Sequence, residues 1–337
     1  MSYRTRVIAL AAAFGALLLT YVIGLVVAPR PGAGAREALL DGFDPATVES
    51  ISITNQDESI ELERTGENWR LVLDGDRYPA RDDRIGILLD SIASAQIVRV
   101  VTSREEVHGD LGVGEDGTVI SLTTTNGSTV LHVGDSSQET GGSYMRIGED
   151  ADVLATDTEL GFYLGQPYSY FAYLRVFPED AYGSGVVAMS LDVDLVEEPE
   201  VTRAFSYSLE LTGTGDSEQW LLSYEGGEVT ADGSSVDSLL RATADLVGSG
   251  FYRDVDPSSL PTVGTATFTL SDGREYGYVV RQGDGLFAMQ GRGTGIQHVD
   301  GSSSPIWYEV TMPTLRRLFP APDTLLPEVD DEGTAAE

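Results

Sequence analysis

The residues that most resemble a cofactor-binding motif are a glycine-rich run near the first third of the chain. Gly112–Gly117 (GVGEDG) has the G-x-G-x-x-G spacing with which a dinucleotide-binding loop opens a helix onto a pyrophosphate. The context differs here, because a strand pattern follows the run and two carboxylates would face the phosphates. We therefore predict a connecting loop, and we expect no cofactor.

Histidines are the next candidates for catalysis or metal binding. The chain has three, His108, His132 and His298, and their spacing does not match a helical metal motif. A Ser-His-Asp triad assembled in space stays open, although no nucleophile-elbow motif supports one. Cysteine is absent, which excludes thiolate nucleophiles, cysteine zinc sites and disulfides. We assign no catalytic and no metal-binding residue and expect the protein not to be an enzyme.

Two carboxylate runs, Asp192–Asp194 and Asp330–Glu332, offer oxygen ligands for Ca²⁺. Neither has the spacing of an EF-hand loop, with its central glycine and terminal glutamate. In an acidic chain such runs are typical of solvated surface, which is the interpretation we adopt.

The best candidate for a recognition surface is a dense aromatic segment. Side chains of this type stack sugars or form the centre of a protein interface, and the alternative is that they pack between modules of the protein. The possible interaction surface consists of Phe162, Tyr163, Tyr168, Tyr170, Phe171 and Tyr173.

The charge balance limits the partners. The formal net charge is −33, from 54 acidic residues and 21 cationic ones, all of which are arginines. A field of this sign repels phosphate backbones, so we expect no nucleic-acid partner. Two interpretations of the acidity stay open: a solubility-selected surface of an exported protein, and adaptation to brine, where salt screens self-repulsion.

The N-terminus predicts a membrane anchor. Val7–Ala28 is almost continuously apolar and long enough to cross a bilayer as a helix, and arginines precede it. Ala33–Ala35 resembles a cleavage site, but the apolar stretch is longer than that of a typical signal peptide. We expect an uncleaved single pass in the cytoplasmic membrane, with the bulk of the chain outside. Ala11 and Gly15 form a small-xxx-small pair for possible packing on a partner helix.

The rest of the chain carries one pattern of strands and helices twice. Strand runs outnumber helices, and an amphipathic helix follows the tryptophan strand in each copy, which favours a mainly antiparallel α+β fold. The paired landmarks are Trp69 with Trp220, Leu88-Leu89 with Leu239-Leu240, Asn126-Gly127 with Asp272-Gly273, and Arg175–Pro178 with Arg317–Pro320. The predicted divisions are 1–28 (tail and transmembrane anchor), 29–45 (linker), 46–180 (module one), 181–321 (module two, a degenerate repeat) and 322–337 (acidic disordered tail).

Several of these residues resemble the family called domain of unknown function 4340. They are Glu61–Arg64, Trp69–Leu71, Pro79-Ala80, Ile85, Leu88-Leu89, Thr129–Gly134 and Leu174-Arg175, behind a single N-terminal span. The resemblance implies a single-pass bacterial protein encoded beside gliding-motility-type ABC transporters, and it transfers no catalytic residues.

We therefore expect a non-enzymatic accessory or scaffold protein of an ABC-type transporter or envelope complex. The alternative is an extracytoplasmic module that binds a glycan or a divalent cation in the cleft between the modules.

Overall fold

The computed structural model describes residues 36–179, 181, 185–198, 201–253, 255–283, 285–299 and 304–327. The predicted anchor 1–28, with Ala11 and Gly15, lies outside these residues, as do residues 29–35 of the predicted linker and the tail from 328. In the part of the chain that the structure describes, no helix is long and apolar enough to cross a membrane.

The described residues form a strand-rich α+β fold whose strands pair antiparallel, as the sequence predicts. The strands are β1 (Glu37–Ala38), β2 (Val48–Thr54), β3 (Ser59–Thr65), β4 (Asn68–Leu73), β5 (Asp76–Pro79), β6 (Gln96–Thr102), β7 (Thr118–Thr124), β8 (Gly127–Ser136), β9 (Ser143–Ile147), β10 (Val153–Thr156), β11 (Val186–Glu198), β12 (Val201–Thr212), β13 (Gln219–Tyr224), β14 (Gly227–Thr230), β15 (Gly250–Phe251), β16 (Thr262–Leu270), β17 (Glu275–Gln282), β18 (Phe287–Arg292) and β19 (Trp307–Val310). The α-helices are α1 (Asp82–Ser94), α2 (Gly161–Leu164), α3 (Tyr168–Phe171), α4 (Gly233–Ala244) and α5 (Met312–Leu318).

The chain divides into two compact units that are each discontinuous in sequence. Among the described residues, the first unit combines 36–48 with 87–165, and the second combines 49–86 with 166–327. Residues on both sides of the predicted module boundary at 180 therefore belong to the second unit.

The first unit contains strands in the order β1-β6-β10-β9-β8-β7. Its hairpin β7–β8 pairs Ile120 with Leu131, and both side chains are fully buried. The glycine run before β7 is a connecting loop, as predicted. A Cβ on Gly117 would lie only 2.2 Å from the carbonyl oxygen of Gly112, so close backbone approach requires glycine there.

The second unit contains the meander β2-β3-β4-β5 and a nine-stranded sheet in the order β14-β13-β12-β11-β16-β17-β18-β19-β15. In the meander Ile51 pairs with Leu62 and Ile53 with Ile60, and all four side chains are at most 1% exposed. Apolar and polar residues alternate along both strands, which is the pattern of strands buried on one face.

The nine-stranded sheet repeats the strand order of the first half of the chain. The order β15-β19-β18-β17-β16 reproduces β6-β10-β9-β8-β7, and β11-β12-β13-β14 reproduces β2-β3-β4-β5. We call β2–β10 with α1–α3 the first copy, and β11–β19 with α4 and α5 the second copy. The helix stripe of α1 is confirmed, since Leu88 and Leu89 are at most 2% exposed. In α4 Leu239 is 3% exposed, whereas its predicted neighbour Leu240 is half-buried.

The predicted pairing of Arg175–Pro178 with Arg317–Pro320 as equivalent landmarks is wrong. Leu39 donates its N–H to Ala95 at 2.8 Å, and Val176 donates to Leu246 at 3.0 Å in the same way. Residues 174–176 therefore precede the second copy in the same way as β1 and Leu39 precede the first copy. Phe177 and Phe319, matched by sequence, both pack on Tyr278, with ring centroids 6.4 and 5.7 Å away. Phe177 enters the second copy and Phe319 closes it, so the two residues belong to one aromatic cluster and are not equivalent positions of the two copies.

Asn-Gly is typical of the two central residues of a hairpin turn, but at Asn126-Gly127 the structure places the turn one residue earlier. The β7–β8 turn consists of residues 125 and 126, because Thr124 pairs with Gly127 and glycine is already in the strand. Asp82, at the start of α1, is of a residue type that often caps helices, but it accepts the N–H of Trp69 at 2.7 Å. In the second copy Asp232 does cap the helix, by accepting from Ser235 at 2.8 Å.

Candidate functional site

An open groove of about 670 Å³ lies within the second unit. Its walls are the start of α1, the segment 169–175 and Val247. We call it the Arg-Tyr groove after the side chains Arg81, Arg84, Tyr170, Tyr173 and Arg175, all of which line it.

Backbone hydrogen bonds hold the two long walls together. Arg81 donates its N–H to the carbonyl of Phe171 at 2.7 Å, and Tyr173 donates to the carbonyl of Pro79 at 2.9 Å. Phe171 is fully buried and anchors this segment. Strand-like pairing of this kind fixes the spacing between the arginines of one wall and the tyrosines of the other.

Arg81 forms a two-point ion pair with Asp83. Its Nη2 lies 2.6 Å from Oδ2 and its Nε lies 3.1 Å from Oδ1. The hydrogen bonds from Arg81 hold the pKa of Asp83 below its ordinary value, so the carboxylate stays ionised. The pair is well exposed, at 38% and 60% of the two side chains, so it orients Arg81 without adding much stability.

Arg84 stacks on an aromatic ring. Its guanidinium carbon lies 4.0 Å from the ring centroid of Tyr170, and Nη1 donates to the Tyr170 carbonyl at 3.4 Å. The Tyr170 ring in turn meets the buried Phe171 edge to face at 5.0 Å. The guanidinium is therefore held against the groove wall, and among the described residues its remaining N–H groups have no hydrogen-bond partner.

Arg175 forms the end of the groove. Its Nε donates to the carbonyl of Phe177 at 3.1 Å, and its Nη2 donates to the carbonyl of Ala244 at 3.0 Å. Asp245 lies 3.7 Å from Nη2 and is mostly exposed. Because backbone carbonyls hold this side chain, Arg175 is a fixed positive group.

The predicted aromatic residues do not form one surface. Phe162 and Tyr163 belong to the first unit, where their rings meet edge to face at 5.3 Å and Phe162 is 59% exposed. In the second unit Tyr170 and Tyr173 line the groove.

The remaining two aromatic residues of the segment have other roles in the second unit. Phe171 is core. Tyr168 donates its N–H to Glu58 at 2.7 Å and lies 5.7 Å from the guanidinium of Arg253. Burial raises the pKa of the Tyr168 hydroxyl, which stays protonated at neutral pH.

The two copies differ in chemistry at the groove. Asp232 donates its N–H to Leu325 at 2.8 Å, as Arg81 does to Phe171, so these residues are equivalent. Three residues later the first copy has Arg84 and the second has Ser235. The residue before the carbonyl acceptor is Tyr170 in one copy and Thr324 in the other. The same scaffold thus presents arginine and tyrosine in one copy and small polar side chains in the other.

Sequence reasoning missed Arg81, Arg84 and Arg175 as groove residues. Arg81 and Arg84 flank Asp82 and Asp83, a pattern typical of a solvated helix start. Alignment of the copies on the Trp69 and Trp220 strands places Arg81 opposite Asp232 and Arg84 opposite Ser235, so the difference at these two positions is visible in the sequence. Arg175 has no such signal.

The histidines stay separate from this groove. His108 is 9% exposed and its Nε2 lies 3.1 Å from the carbonyl of Ala151 in the first unit. Across the described ranges, histidine, aspartate and glutamate side chains form no group of three that could hold a metal ion.

The comparisons with known proteins identify a family and nothing more specific. No curated protein and no solved structure matches the chain. The family profile described as a domain of unknown function (DUF4340) matches residues 69–267. This range is more than half of the chain, begins at the tryptophan of β4 and ends in β16. The chain therefore belongs to the DUF4340 family.

Proposed function

We propose that the protein is a membrane-anchored, extracytoplasmic accessory or scaffold protein of an ABC-type transporter or envelope complex, and that it acts by binding a partner and not by catalysis. The Arg-Tyr groove is its contact surface in this proposal. The observation that carries the proposal is the exchange of Arg84 and Tyr170 for Ser235 and Thr324 at equivalent positions of the two copies.

The chemistry of the groove supports recognition of a protein. Arginine and tyrosine are the side chains most enriched at the energetic centres of protein interfaces. Here two of the arginines are held in place before a partner arrives. The Tyr170 ring holds Arg84, and two backbone carbonyls hold Arg175. Side chains that are already ordered lose little conformational entropy on binding.

The membrane location in this proposal rests on the sequence. Arg4 and Arg6 precede the apolar stretch Val7–Ala28, and the two tandem modules follow it. An anchor of this kind would place the groove beside the membrane-embedded partners of a transporter. Mass spectrometry of the protein from native membranes checks it: we expect an N-terminus near Met1, and a mature N-terminus at Arg36 would overturn the anchor.

Co-purification tests the partner. The full-length chain is isolated from native membranes in mild detergent, and the bound proteins are identified by mass spectrometry. We expect an ABC-type ATPase and permease with the wild-type chain and strongly reduced amounts with Arg84→Ser/Tyr170→Thr. Recovery of no transporter subunit, or equal recovery with the variant, contradicts the proposal.

A glycan ligand is the second candidate, favoured by the pair of tyrosines beside the Arg81–Asp83 ion pair. Sugars bind on aromatic rings next to two-point hydrogen-bonding groups. A saturable calorimetric signal with cell-envelope oligosaccharides, lost in Tyr173→Ala, would favour this function over the transporter complex. The divalent cation of the same alternative has no comparable observation in its favour.

A further inference from the structure

A second groove in the second unit runs between helices α4 and α5, apart from the arginine and tyrosine side chains described above. Its main part has a volume of about 440 Å³ and an adjoining lobe adds about 360 Å³. Ser238, Ala242 and Arg317 line both parts, so they are continuous. We call this the interhelical groove.

The floor of the interhelical groove is apolar and its rim is basic. Leu246 and Leu318 are at most 2% exposed and form the floor with Ala242. Arg241 from α4 and Arg317 from α5 stand on the two sides, and Arg316 lines the lobe. An apolar floor between charged rims is the shape that binds a short peptide segment.

Two of these arginines have no partner among the described residues. Neither Arg241 nor Arg317 makes a side-chain hydrogen bond or an ion pair there. Asp237 lies one turn before Arg241 but forms no ion pair with it among the described residues. Asp245 lies one turn after Arg241 and pairs with Arg175 at 3.7 Å instead.

The local charge is opposite to that of the protein. The chain as a whole has 21 arginines against 54 acidic residues. The interhelical groove has Arg241, Arg316 and Arg317 against one carboxylate, Asp245. A basic rim in so acidic a protein selects an anionic occupant.

The chain itself supplies an occupant of this chemistry. Leu325 lines the lobe, and the described residues end two positions later at 327. The next five residues include Glu328, Asp330, Asp331 and Glu332, with Val329 between them. An extended chain covers up to about 3.3–3.6 Å per residue, so these carboxylates can reach both arginines. Tethering gives such a segment an effective concentration of roughly millimolar.

We propose that the interhelical groove binds the acidic C-terminal segment Glu328–Glu332 of the same chain, with its carboxylates paired to Arg241 and Arg317. Val329 would lie on the apolar floor. The first copy has an aspartate, Asp90, at the position equivalent to Arg241, counted from the equivalent residues Arg81 and Asp232. The proposal goes beyond the proposed function and does not depend on it.

Photo-crosslinking in the full-length chain tests the proposal. A benzoylphenylalanine replaces Val329, the protein is irradiated in mild detergent, and the crosslinked peptides are mapped by mass spectrometry. We expect intramolecular crosslinks to α4 and α5, within residues 238–247 and 314–318. Crosslinks to other elements, or a covalent dimer in place of the intramolecular product, would overturn it; the dimer would assign the segment to a second copy.

Matched charge variants complete the test. Arg241→Ser/Arg317→Ser should lower the crosslink yield roughly five-fold, while Arg104→Ser/Arg292→Ser, which removes the same charge elsewhere, leaves it unchanged. The combination of Arg241→Asp/Arg317→Asp with Asp330→Arg/Asp331→Arg should restore the yield. Equal loss with both serine variants contradicts specific pairing, and unchanged melting temperatures exclude misfolding as the cause.

Discussion

Arg84 contacts Tyr170 in two ways: its guanidinium lies 4.0 Å from the ring centroid, and it donates to the carbonyl of the same residue. One side chain of α1 therefore fixes both the ring and the backbone of the opposite groove wall. The second copy has serine and threonine at these positions, so the contact is not needed for the repeated scaffold to fold.

The first prediction concerns the cost of losing that contact. Arg84→Ser should lower the free energy of unfolding by only about 1 kcal/mol, because a partly exposed cation–π pair and one hydrogen bond are lost. Urea unfolding followed by circular dichroism measures this. Arg84→Lys keeps the charge but not the planar stacking, and should fall between wild type and Arg84→Ser. A loss of several kcal/mol would make Arg84 a structural residue.

The second prediction uses the duplicated tryptophans. Trp69 and Trp220 are 3% and 8% exposed and sit on equivalent strands of the second unit. Substitution of either by alanine should cost about 3–5 kcal/mol, because each leaves a cavity of similar size. Urea unfolding of the two variants checks this, with Glu210→Ala, on β12, as an exposed control. If one variant were near wild type, the two positions would not be equivalent in packing.

The third prediction tests the correction of the Phe-Pro landmarks. Phe177 and Phe319 both contact Tyr278, so their losses should be coupled. A double-mutant cycle of Phe177→Ala and Phe319→Ala should give a coupling free energy of about 0.5–3 kcal/mol. Strict additivity, as expected for side chains in two separate modules, contradicts the shared cluster.

The fourth prediction concerns pH. Burial, with the positive charge of Arg146 as a further cause, holds the pKa of His132 below its ordinary value of 6.5. As the pH falls below 6.5 the unfolded chain gains a proton that the folded chain does not, so this group lowers stability in that window.

Melting temperatures measured between pH 7 and 5 test this linkage. The wild type should lose more stability on acidification than His132→Gln, which lacks the titrating ring. Parallel curves for the two proteins would show that His132 is not responsible.

Much of the architecture was predictable because it follows from local patterns. The alternation in β2 and β3 and the helical stripe from Ile85 to Ile92 specify buried faces directly, and the structure confirms both. The Asn126-Gly127 dipeptide indicates a hairpin, and the hairpin is present. The turn itself lies one residue earlier than the dipeptide, since the register depends on strand pairing across the hairpin.

The groove could not be predicted in the same way. Arg175 belongs to a segment that pairs with Val247, far along the chain, and no local pattern indicates a contact over that separation. Phe177 likewise reads as the end of one repeat and packs in the core beside Tyr278. The aromatic segment pointed to Tyr170 and Tyr173, but their proximity to Arg81 and Arg84 follows from the bridge between Ala80 and Ala172, which lie far apart in the chain.

The most direct test of the recognition groove is an exchange of residues between the two copies. Arg84→Ser/Tyr170→Thr gives the first copy the chemistry of the second, and Ser235→Arg/Thr324→Tyr is the reverse exchange. Recovery of transporter subunits with each full-length variant is compared by quantitative mass spectrometry. We predict that the first exchange lowers recovery at least about ten-fold, the effect of losing two interface anchors, and that the reverse exchange leaves it unchanged. Equal recovery from both variants would contradict a partner-binding role for the Arg-Tyr groove.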